Sequence, residues 1–267
     1  MKFATVLISF LSVLFFACNT PPGNDGSTLN PYTEYAQFLT AQLQANPDSA
    51  GLRLKLATIL DSAGKYNEAL QQMDSLIAKD SANFGLWFTQ AHIAEDAGDT
   101  LLAMKSYDKA LHIYPSADAM ISLANLYAEQ KSENALVICN RVKQLSPGRE
   151  YDAHCAFIAG VYYARTGNSK MALQSFDECI ASNYTYMEAY IEKGLVYFDN
   201  KQYREALNVF SFAGTVNALD ANPYYWQGRS YEMMHINDSA ILRFKQSLSF
   251  DKNATETKEA LKRLGSE

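Results

Sequence analysis

The sequence predicts an all-α protein built from helical hairpins that repeat along the chain. Apolar residues recur three or four residues apart, as they do on one face of a helix, and the stretch 86–115 shows this clearly. Small residues also recur about every 34 positions. With 48% hydrophobic and 19% charged residues, the chain has the composition of a folded protein rather than a disordered one.

The N-terminus has the pattern of a secretory signal peptide. After Lys2, the apolar run from Phe3 to Ala17 has 15 residues, fewer than the roughly 20 that a membrane-spanning helix needs. The run ends in Phe-Phe-Ala followed by Cys18, which resembles the lipobox of bacterial lipoproteins. This resemblance implies a signal peptide over 1–18, with Cys18 as the lipidated first residue of the mature chain. An ordinary signal peptide followed by a chance cysteine is the alternative.

Lipidation of Cys18 would anchor the protein to a membrane without spanning it, each buried methylene contributing about 0.8 kcal/mol. Residues 19–30 are rich in proline and glycine and predict a flexible tether. No acidic run of the kind linked to surface export follows Cys18. We therefore expect a lipoprotein of the bacterial cell envelope, in the outer membrane and facing the periplasm.

The folded region is predicted to begin with a capping helix over 31–46. Asn30 is a favourable N-cap, proline at position 31 suits the first helical turn, and Pro47 stops the helix. At the other end, a polar helix over 254–264 turns Leu261 and Leu264 inward, as expected of a terminal cap.

Six units in one register lie between these caps, over residues 50–252. Each has a small residue in its second helix, spaced by 34, 32, 37, 34 and 34 residues: Ala69, Ala103, Ala135, Ala172, Ala206 and Ala240. Four residues later comes a larger apolar side chain: Met73, Tyr107, Cys139, Phe176, Phe210 and Phe244. The first helix of each unit has its own small residue: Ala57, Ala91, Ala124, Gly160, Gly194 and Gly228.

This pattern resembles the tetratricopeptide repeat (TPR), a helix-turn-helix unit of about 34 residues. The resemblance is clearest in the second, fifth and sixth units, which have Trp87, Tyr190 and Tyr224 at one shared position. It implies a right-handed superhelical solenoid over 31–265. The third unit is shorter and lacks a glycine in its turn, and three extra residues precede the fourth unit, near 148–152.

Glycines at two kinds of position make structural predictions. Glycine inside a helix costs about 1 kcal/mol relative to alanine, so Gly160, Gly194 and Gly228 indicate close helix packing at one repeated point. Gly64, Gly98 and Gly167 fall between helices, where a positive φ is expected.

Residues that would indicate catalysis are missing. The four histidines are scattered, and no metal-ligand spacing, phosphate-binding loop or nucleophile elbow occurs. We therefore expect no enzymatic activity, no cofactor and no metal. A net charge of −6 disfavours nucleic acid as a partner. Cys139 and Cys179 occupy apolar repeat positions and are interpreted as buried thiols, although a Cys139–Cys155 disulfide is conceivable in an exported protein.

The resemblance also implies that the first helix of each unit lines a concave groove. The predicted groove residues are Leu54, Phe88, His92, Ile121, Asn125, Phe157, Ile191, Leu195, Tyr225 and Arg229. Asp61, Glu95 and Glu232 lie one turn further along. Such an apolar series with polar neighbours suits a protein or peptide segment. Leu54 and Phe88 stand where carboxylate-clamping members of the family have lysine, so that binding mode is not expected.

Two alternatives to a peptide groove remain. The apolar series could simply pack along the superhelix. A protein of another class, an envelope lipoprotein that binds a glycan or small solute, could use aromatic residues such as Tyr225 and Trp226. The sequence does not indicate the identity of a partner or the oligomeric state.

Overall fold

The computed structural model describes residues 31–145 and 148–266, which form fourteen α-helices and no β-strand. The helices are α1 (Pro31–Ala45), α2 (Ala50–Ser62), α3 (Tyr66–Lys79), α4 (Phe84–Asp96), α5 (Thr100–Ile113), α6 (Ala117–Glu129), α7 (Asn134–Leu145), α8 (Arg149–Arg165), α9 (Ser169–Ser182), α10 (Met187–Asp199), α11 (Tyr203–Val216), α12 (Ala221–Met233), α13 (Asn237–Phe250) and α14 (Thr255–Arg263). The all-α prediction is confirmed. The predicted signal peptide, Cys18 and the tether lie outside the described residues.

The described chain divides into two compact units, one up to Ala119 and the other from Met120. In the first unit α1 packs on α2, and the hairpins α2–α3 and α4–α5 follow. The second unit contains the hairpins α8–α9, α10–α11 and α12–α13, closed by α14. Helices α6 and α7 occupy the third repeat. Each unit therefore contains the predicted succession of helix pairs, with α1 at the start of the first unit and α14 at the end of the second.

Glycine and phenylalanine form a size-matched pair within three hairpins. A Cβ atom added at Gly160 would lie 2.5 Å from the Phe176 ring, and one added at Gly228 would lie 2.6 Å from the Phe244 ring. Gly194 stands in the same close relation to Phe210. In the first repeat the equivalent positions are occupied by Ala57 and Met73, which both belong to the core of the first unit. The predicted close packing at the repeated glycines is confirmed.

Each hairpin turn contains one residue with a left-handed backbone. Gly64, Gly98 and Gly167 have φ between 74° and 82°, as predicted. The other three hairpins place Lys131, Lys201 and His235 there, with φ between 59° and 61°. The next residue in each turn donates its N–H back to the preceding helix, as Ile236 does to the Tyr231 carbonyl at 3.0 Å. This bond is the Schellman closure that a left-handed residue permits.

The three extra residues of the fourth repeat lengthen a helix. Helix α8 has 17 residues, whereas the other first helices of the hairpins have 13. The addition lies at the N-terminal end, where α8 starts at Arg149 after Gly148. The difference in helix length is four residues, one more than the insertion in the sequence, and corresponds to about one helical turn. The insertion therefore leaves the hairpin turn and the seam at Gly160 in register.

Both predicted caps are present. Helix α1 buries Ala36, Leu39 and Leu43 against the first repeat, and it ends at Ala45 as expected. Helix α14 buries Ala260 and Leu261 against Phe244, with Leu264 packed beside them. Arg263 on its outer side also reaches α12 and forms two hydrogen bonds to Glu232, at 2.7 and 2.9 Å.

Trp87, Tyr190 and Tyr224 hold the loops that precede their own helices. The indole N–H of Trp87 and the hydroxyl groups of Tyr190 and Tyr224 each donate a hydrogen bond to the backbone carbonyl six residues upstream, at 2.9 to 3.1 Å. The acceptors are Ser81, Tyr184 and Ala218. This repeated contact identifies Trp87 as a packing residue that fixes the entry to α4.

Candidate protein-binding surfaces

In the first unit, the predicted groove residues Phe88 and His92 belong to an aromatic cluster of five rings. Its members are Phe84, Phe88, His92, Tyr107 and Tyr114. Phe88 stacks on Phe84 with ring centroids 5.4 Å apart and meets the His92 ring edge-on at 4.5 Å. Phe88 is half-buried and Tyr114 is 60% exposed, so the cluster presents apolar surface to solvent.

The polar edge of this aromatic cluster is a short hydrogen-bond chain. The buried Tyr107 hydroxyl donates to Glu95 and lies 3.2 Å from Nδ1 of His92. Burial raises the pKa of Glu95, an effect that the hydrogen bond from Tyr107 opposes. Burial also lowers the pKa of His92, which favours the neutral imidazole. His92 is therefore oriented by Tyr107 rather than by an ionic partner.

Three carboxylates lie at the C-terminal ends of α2 and α4: Asp61, Glu95 and Asp96, called here the acidic triad. Burial raises the pKa of Asp61 to about 6, and the neighbouring charge of Asp96 adds to this rise. Oδ1 of Asp61 is buried and has no hydrogen-bond partner. Asp61 and Glu95 were placed next to the predicted groove by the repeat pattern. Asp96 was missed, although it follows Glu95 directly in the sequence.

In the second unit, the predicted aromatic residues of the groove are half-buried against neighbouring rings. Phe157 stacks on Tyr186 at 5.1 Å and lies 5.9 Å from Phe176. Tyr225 packs against Phe244 at 5.8 Å. Tyr186 was missed by the sequence pattern because it precedes α10 in a loop, outside the helical register. Its hydroxyl lies 2.9 Å from Nδ1 of His154.

Five further predicted groove residues are spread over three helices. Leu54 on α2, Ile121 and Asn125 on α6, and Ile191 and Leu195 on α10 are all half-buried. Leu54 also packs against the core of the first unit. These side chains therefore retain partial solvent exposure while supporting the helix packing beneath them.

Arg229 is more enclosed than a binding residue at a groove surface would be. Its Nε atom is buried without a hydrogen-bond partner and lies 3.4 Å from Glu232. Glu232 also accepts both hydrogen bonds from Arg263, which lowers its pKa. Another arginine of the second unit, Arg165, bridges Glu129 at 2.8 Å and Glu192 at 3.1 Å. The arginines near the inner helices of this unit are thus engaged within the chain.

Trp226, which the solute-binding alternative invokes, packs among protein rings. It lies 5.5 Å from Phe198 and 5.9 Å from Phe210, and Tyr225 meets it at 5.2 Å. These contacts give the indole a place in the packing of adjacent repeats.

Cys139, Cys155 and Cys179 are all buried free thiols. The Cys155 thiol donates to the Cys139 carbonyl at 3.5 Å. Burial raises the pKa of Cys179 to about 12. The interpretation of these side chains as small buried hydrophobes agrees with their positions.

Two other kinds of feature are absent from the described residues. Within 31–145 and 148–266, no group of three or more histidine, cysteine, aspartate or glutamate residues could hold a metal ion. No helix in the same two ranges combines the length and apolar character needed to cross a bilayer.

The helix pairs, the paired small and large residues and the terminal caps define an all-α solenoid of the TPR class. The sequence model of the tetratricopeptide repeat family matches residues 54–118. The search of curated proteins gave no match.

Solved structures share this fold at low sequence identity. A tetratricopeptide repeat protein from Parabacteroides merdae superposes with a TM-score of 0.72 at 20% identity, over 88% of this chain and 93% of that one. PilW, a type IV pilus biogenesis factor, gives 0.64 at 16% identity, over 80% of this chain and 99% of PilW. A chain of the APC/C hetero-tetramer Cut9-Hcn1 gives 0.61 at 17% identity, over 88% of this chain and 46% of that one. These likenesses establish the fold.

Proposed function

We propose that the protein is a non-enzymatic protein–protein interaction scaffold that binds a protein or peptide segment along the inner helices of its repeats. The TPR fold is in general a scaffold for such interactions. The observation that carries the proposal is the half-buried state of Phe88, Phe157 and Tyr225 at one repeated position. By contrast, aromatic side chains that serve packing on the second helices, such as Tyr107 and Phe244, are fully buried.

The proposal includes attachment to a membrane of the bacterial cell envelope through a lipid on Cys18. The apolar run before Cys18 and the Pro/Gly-rich segment after it support an anchor with a tether. A scaffold held in this way would meet partners at the membrane surface, in the outer membrane facing the periplasm.

The test is partner capture by crosslinking in the native envelope with a Phe88→Glu/Phe157→Glu variant. Each glutamate places a charge in half-buried apolar surface that a partner would cover, so we expect recovery of specific partners to fall at least about tenfold. The matched control is Leu101→Glu/Leu242→Glu, because these leucines are 78% and 63% exposed on second helices.

Circular dichroism and thermal unfolding show whether each variant is folded before capture is compared. A folded groove variant that recovers the same partners at the same level contradicts the proposal. Equal loss of partners in the Leu101→Glu/Leu242→Glu control contradicts the placement of the binding surface on the inner helices.

A further inference from the structure

The third repeat has a cysteine at a position where the five other repeats have a larger side chain. Cys139 lies on α7, and its equivalents on the other second helices are Met73, Tyr107, Phe176, Phe210 and Phe244. All six side chains are buried. Because protein interiors are closely packed, the loss of a ring or a long side chain has to be compensated by a neighbouring group.

A second cysteine lies on α8, the helix that packs against α7 at the start of the fourth repeat. Cys155 stands five residues before Gly160, and the residues at the same spacing in other first helices are Leu86, Ala119, Ala189 and Pro223. The Cys155 thiol donates to the Cys139 carbonyl at 3.5 Å, and the two residues are 1% and 4% exposed. The contact between the third and fourth repeats therefore has one thiol on each helix.

This contact has the closeness that a disulfide bond requires. A disulfide joins residues whose Cα atoms lie about 4.4 to 6.8 Å apart, so the two helices must be in direct contact. Helices α7 and α8 meet this requirement at Cys139 and Cys155, because the sulfur of one touches the backbone of the other. Cys179, the third free thiol, bonds instead to the backbone of Phe157.

The two thiols also differ in reactivity. A hydrogen bond with the Cys139 thiol lowers the pKa of Cys155, burial opposes this effect, and the positive charge of Lys143 supports it. The same hydrogen bond raises the pKa of Cys139, and burial adds to that rise. Since the thiolate is the form that attacks a disulfide, Cys155 is the first nucleophile of the pair and Cys139 is the second.

We propose that Cys139 and Cys155 are an oxidation site, at which exchange with a disulfide-bearing oxidant forms an intramolecular disulfide that ties α7 to α8. The Cys155 thiolate attacks one sulfur of the oxidant and releases the other oxidant sulfur as a thiolate. Cys139 then loses its proton and attacks the Cys155 sulfur of the mixed disulfide, which releases the second oxidant sulfur. The protein loses two electrons and two protons, and the oxidant disulfide becomes two thiols. This inference goes beyond the scaffold function and does not depend on it.

The disulfide would hold a contact at which the repeat spacing is irregular. The step from Ala135 to Ala172 is 37 residues, whereas each of the two later steps is 34. Helix α8 has 17 residues, whereas α10 has 13. A covalent link at Cys139 therefore joins the lengthened helix to the one second helix that lacks a larger side chain at this position.

Access of the oxidant follows from the burial of both thiols. Exchange takes place before α7 and α8 pack together, or while they are separated by local opening. Exported proteins meet disulfide-bearing oxidants as they fold. The proposed location in the cell envelope would supply this condition.

Peptide mapping of the chain after refolding with oxidised glutathione tests the proposal. A Cys18→Ser background leaves Cys139, Cys155 and Cys179 as its three cysteines. The reduced protein is unfolded in urea, refolded with the oxidant, unfolded again with N-ethylmaleimide and digested with trypsin. Trypsin leaves these cysteines in separate peptides, 132–141, 150–165 and 171–193. We expect 132–141 to be linked to 150–165, 171–193 to be alkylated, and the link to disappear on reduction.

Thermal unfolding measures the effect of the bond. The oxidised protein should melt about 5 °C or more above the reduced protein, because the bond restricts the unfolded chain. Cys155→Ala gives this position the alanine that Ala119 and Ala189 supply in other repeats, so it should fold but lose the link and the shift. Cys179→Ser, the matched control on α9, should keep both.

Three results would overturn the inference: full alkylation of Cys139 and Cys155 after refolding with the oxidant, a link from either of them to Cys179, or an equal melting shift in Cys155→Ala. Each leaves the scaffold function to its own test. If Phe88→Glu/Phe157→Glu loses its captured partners, the scaffold stands and only the disulfide is wrong.

Discussion

Asp61 lies in the last turn of α2, where burial and the nearby charge of Asp96 raise its pKa to about 6. The folded state therefore binds this proton more tightly than the unfolded state, in which the pKa is close to 3.8. Stability from the protonated group is fully present below about pH 4 and is lost as the pH rises through about 6. Above about pH 6 the ionised carboxylate destabilises the folded state, because it is partly buried and lies near the charge of Asp96.

Asp61→Asn is expected to stabilise the protein at pH 7 to 8, because the amide cannot ionise. The gain should stay below about 1 kcal/mol, since solvent screens the partly exposed carboxyl group. Urea unfolding at several pH values measures it, and the difference between variant and parent should shrink between pH 6 and 4. Asp108→Asn, on an exposed face, is the control. A pH-independent difference would show that Asp61 does not titrate in this window.

At the scale of the helical elements, the seam between the two helices of a hairpin depends on matched side-chain sizes. Glycine faces phenylalanine in three hairpins, whereas Ala57 lies in the same core as Met73 in the first. Phe210 is completely buried and leaves no room for a methyl group at Gly194. The helical cost of these glycines is offset by the close approach that they allow.

Gly194→Ala should cost about 1 to 3 kcal/mol in the free energy of unfolding because the new methyl group overlaps the Phe210 ring. Gly194→Ala/Phe210→Met copies the Ala57–Met73 pair and should recover part of the loss, although Phe210→Met alone is destabilising. Chemical denaturation of the parent protein, the two single variants and the double variant measures the coupling free energy between the two positions. If the loss of stability in the double variant equals the sum of the losses in the single variants, size matching is contradicted.

Gly51→Ala is the control for the glycine change itself. Gly51 is an exposed helical residue of α2, and a Cβ atom there would have no neighbour within 4 Å. This substitution should therefore stabilise the protein, by up to about 1 kcal/mol, because alanine favours the helix.

Hairpin turns offer an independent prediction at the same scale. His235 has φ of 61° in an exposed turn, and a left-handed backbone costs an L-residue about 1 to 2 kcal/mol. His235→Gly relieves this strain, but glycine raises the conformational entropy of the unfolded chain and so opposes folding. A net gain of about 0.5 to 1 kcal/mol is expected. His235→Ala retains the strain and should give no gain. Thermal unfolding in which the alanine variant equals the glycine variant would rule out backbone strain as the cause.

At the scale of the whole molecule, each unit buries its own core. The first unit centres on side chains such as Leu39, Met73 and Ile93, and the cluster at the C-terminal end of the second unit centres on Phe244 and Leu261. The chemistry of each unit's surface depends on which of its charges are neutralised by other residues of the chain.

The proposed lipid anchor at Cys18 can be tested on the whole protein. Growth of expressing bacteria with an alkyne-bearing palmitate should label the protein through Cys18, and Cys18→Ser should abolish the label. Cys139→Ser is the matched control and should retain it, because Cys139 is a buried thiol. A labelled Cys18→Ser protein would exclude this cysteine as the lipid attachment site.

The sequence by itself determined the fold class, the register of six hairpins, both caps and the close packing at Gly160, Gly194 and Gly228. These features depend on local periodicity and on residue size at fixed spacing, which a single chain displays directly. The same register placed Phe88 and Phe157 at equivalent positions, and both are half-buried, whereas their role in binding stays a prediction.

Only the tertiary structure decided which charged groups have partners. The sequence shows carboxylates near the ends of several first helices, but Arg263 reaches Glu232 across 31 residues and Arg165 reaches Glu129 across 36. Pairing over such separations depends on how helices stack and not on spacing along the chain. Among the described residues, Glu129 and Glu232 pair with arginines, whereas no lysine or arginine forms an ion pair with Asp61, Glu95 or Asp96, a difference that only the packing of the helices determines.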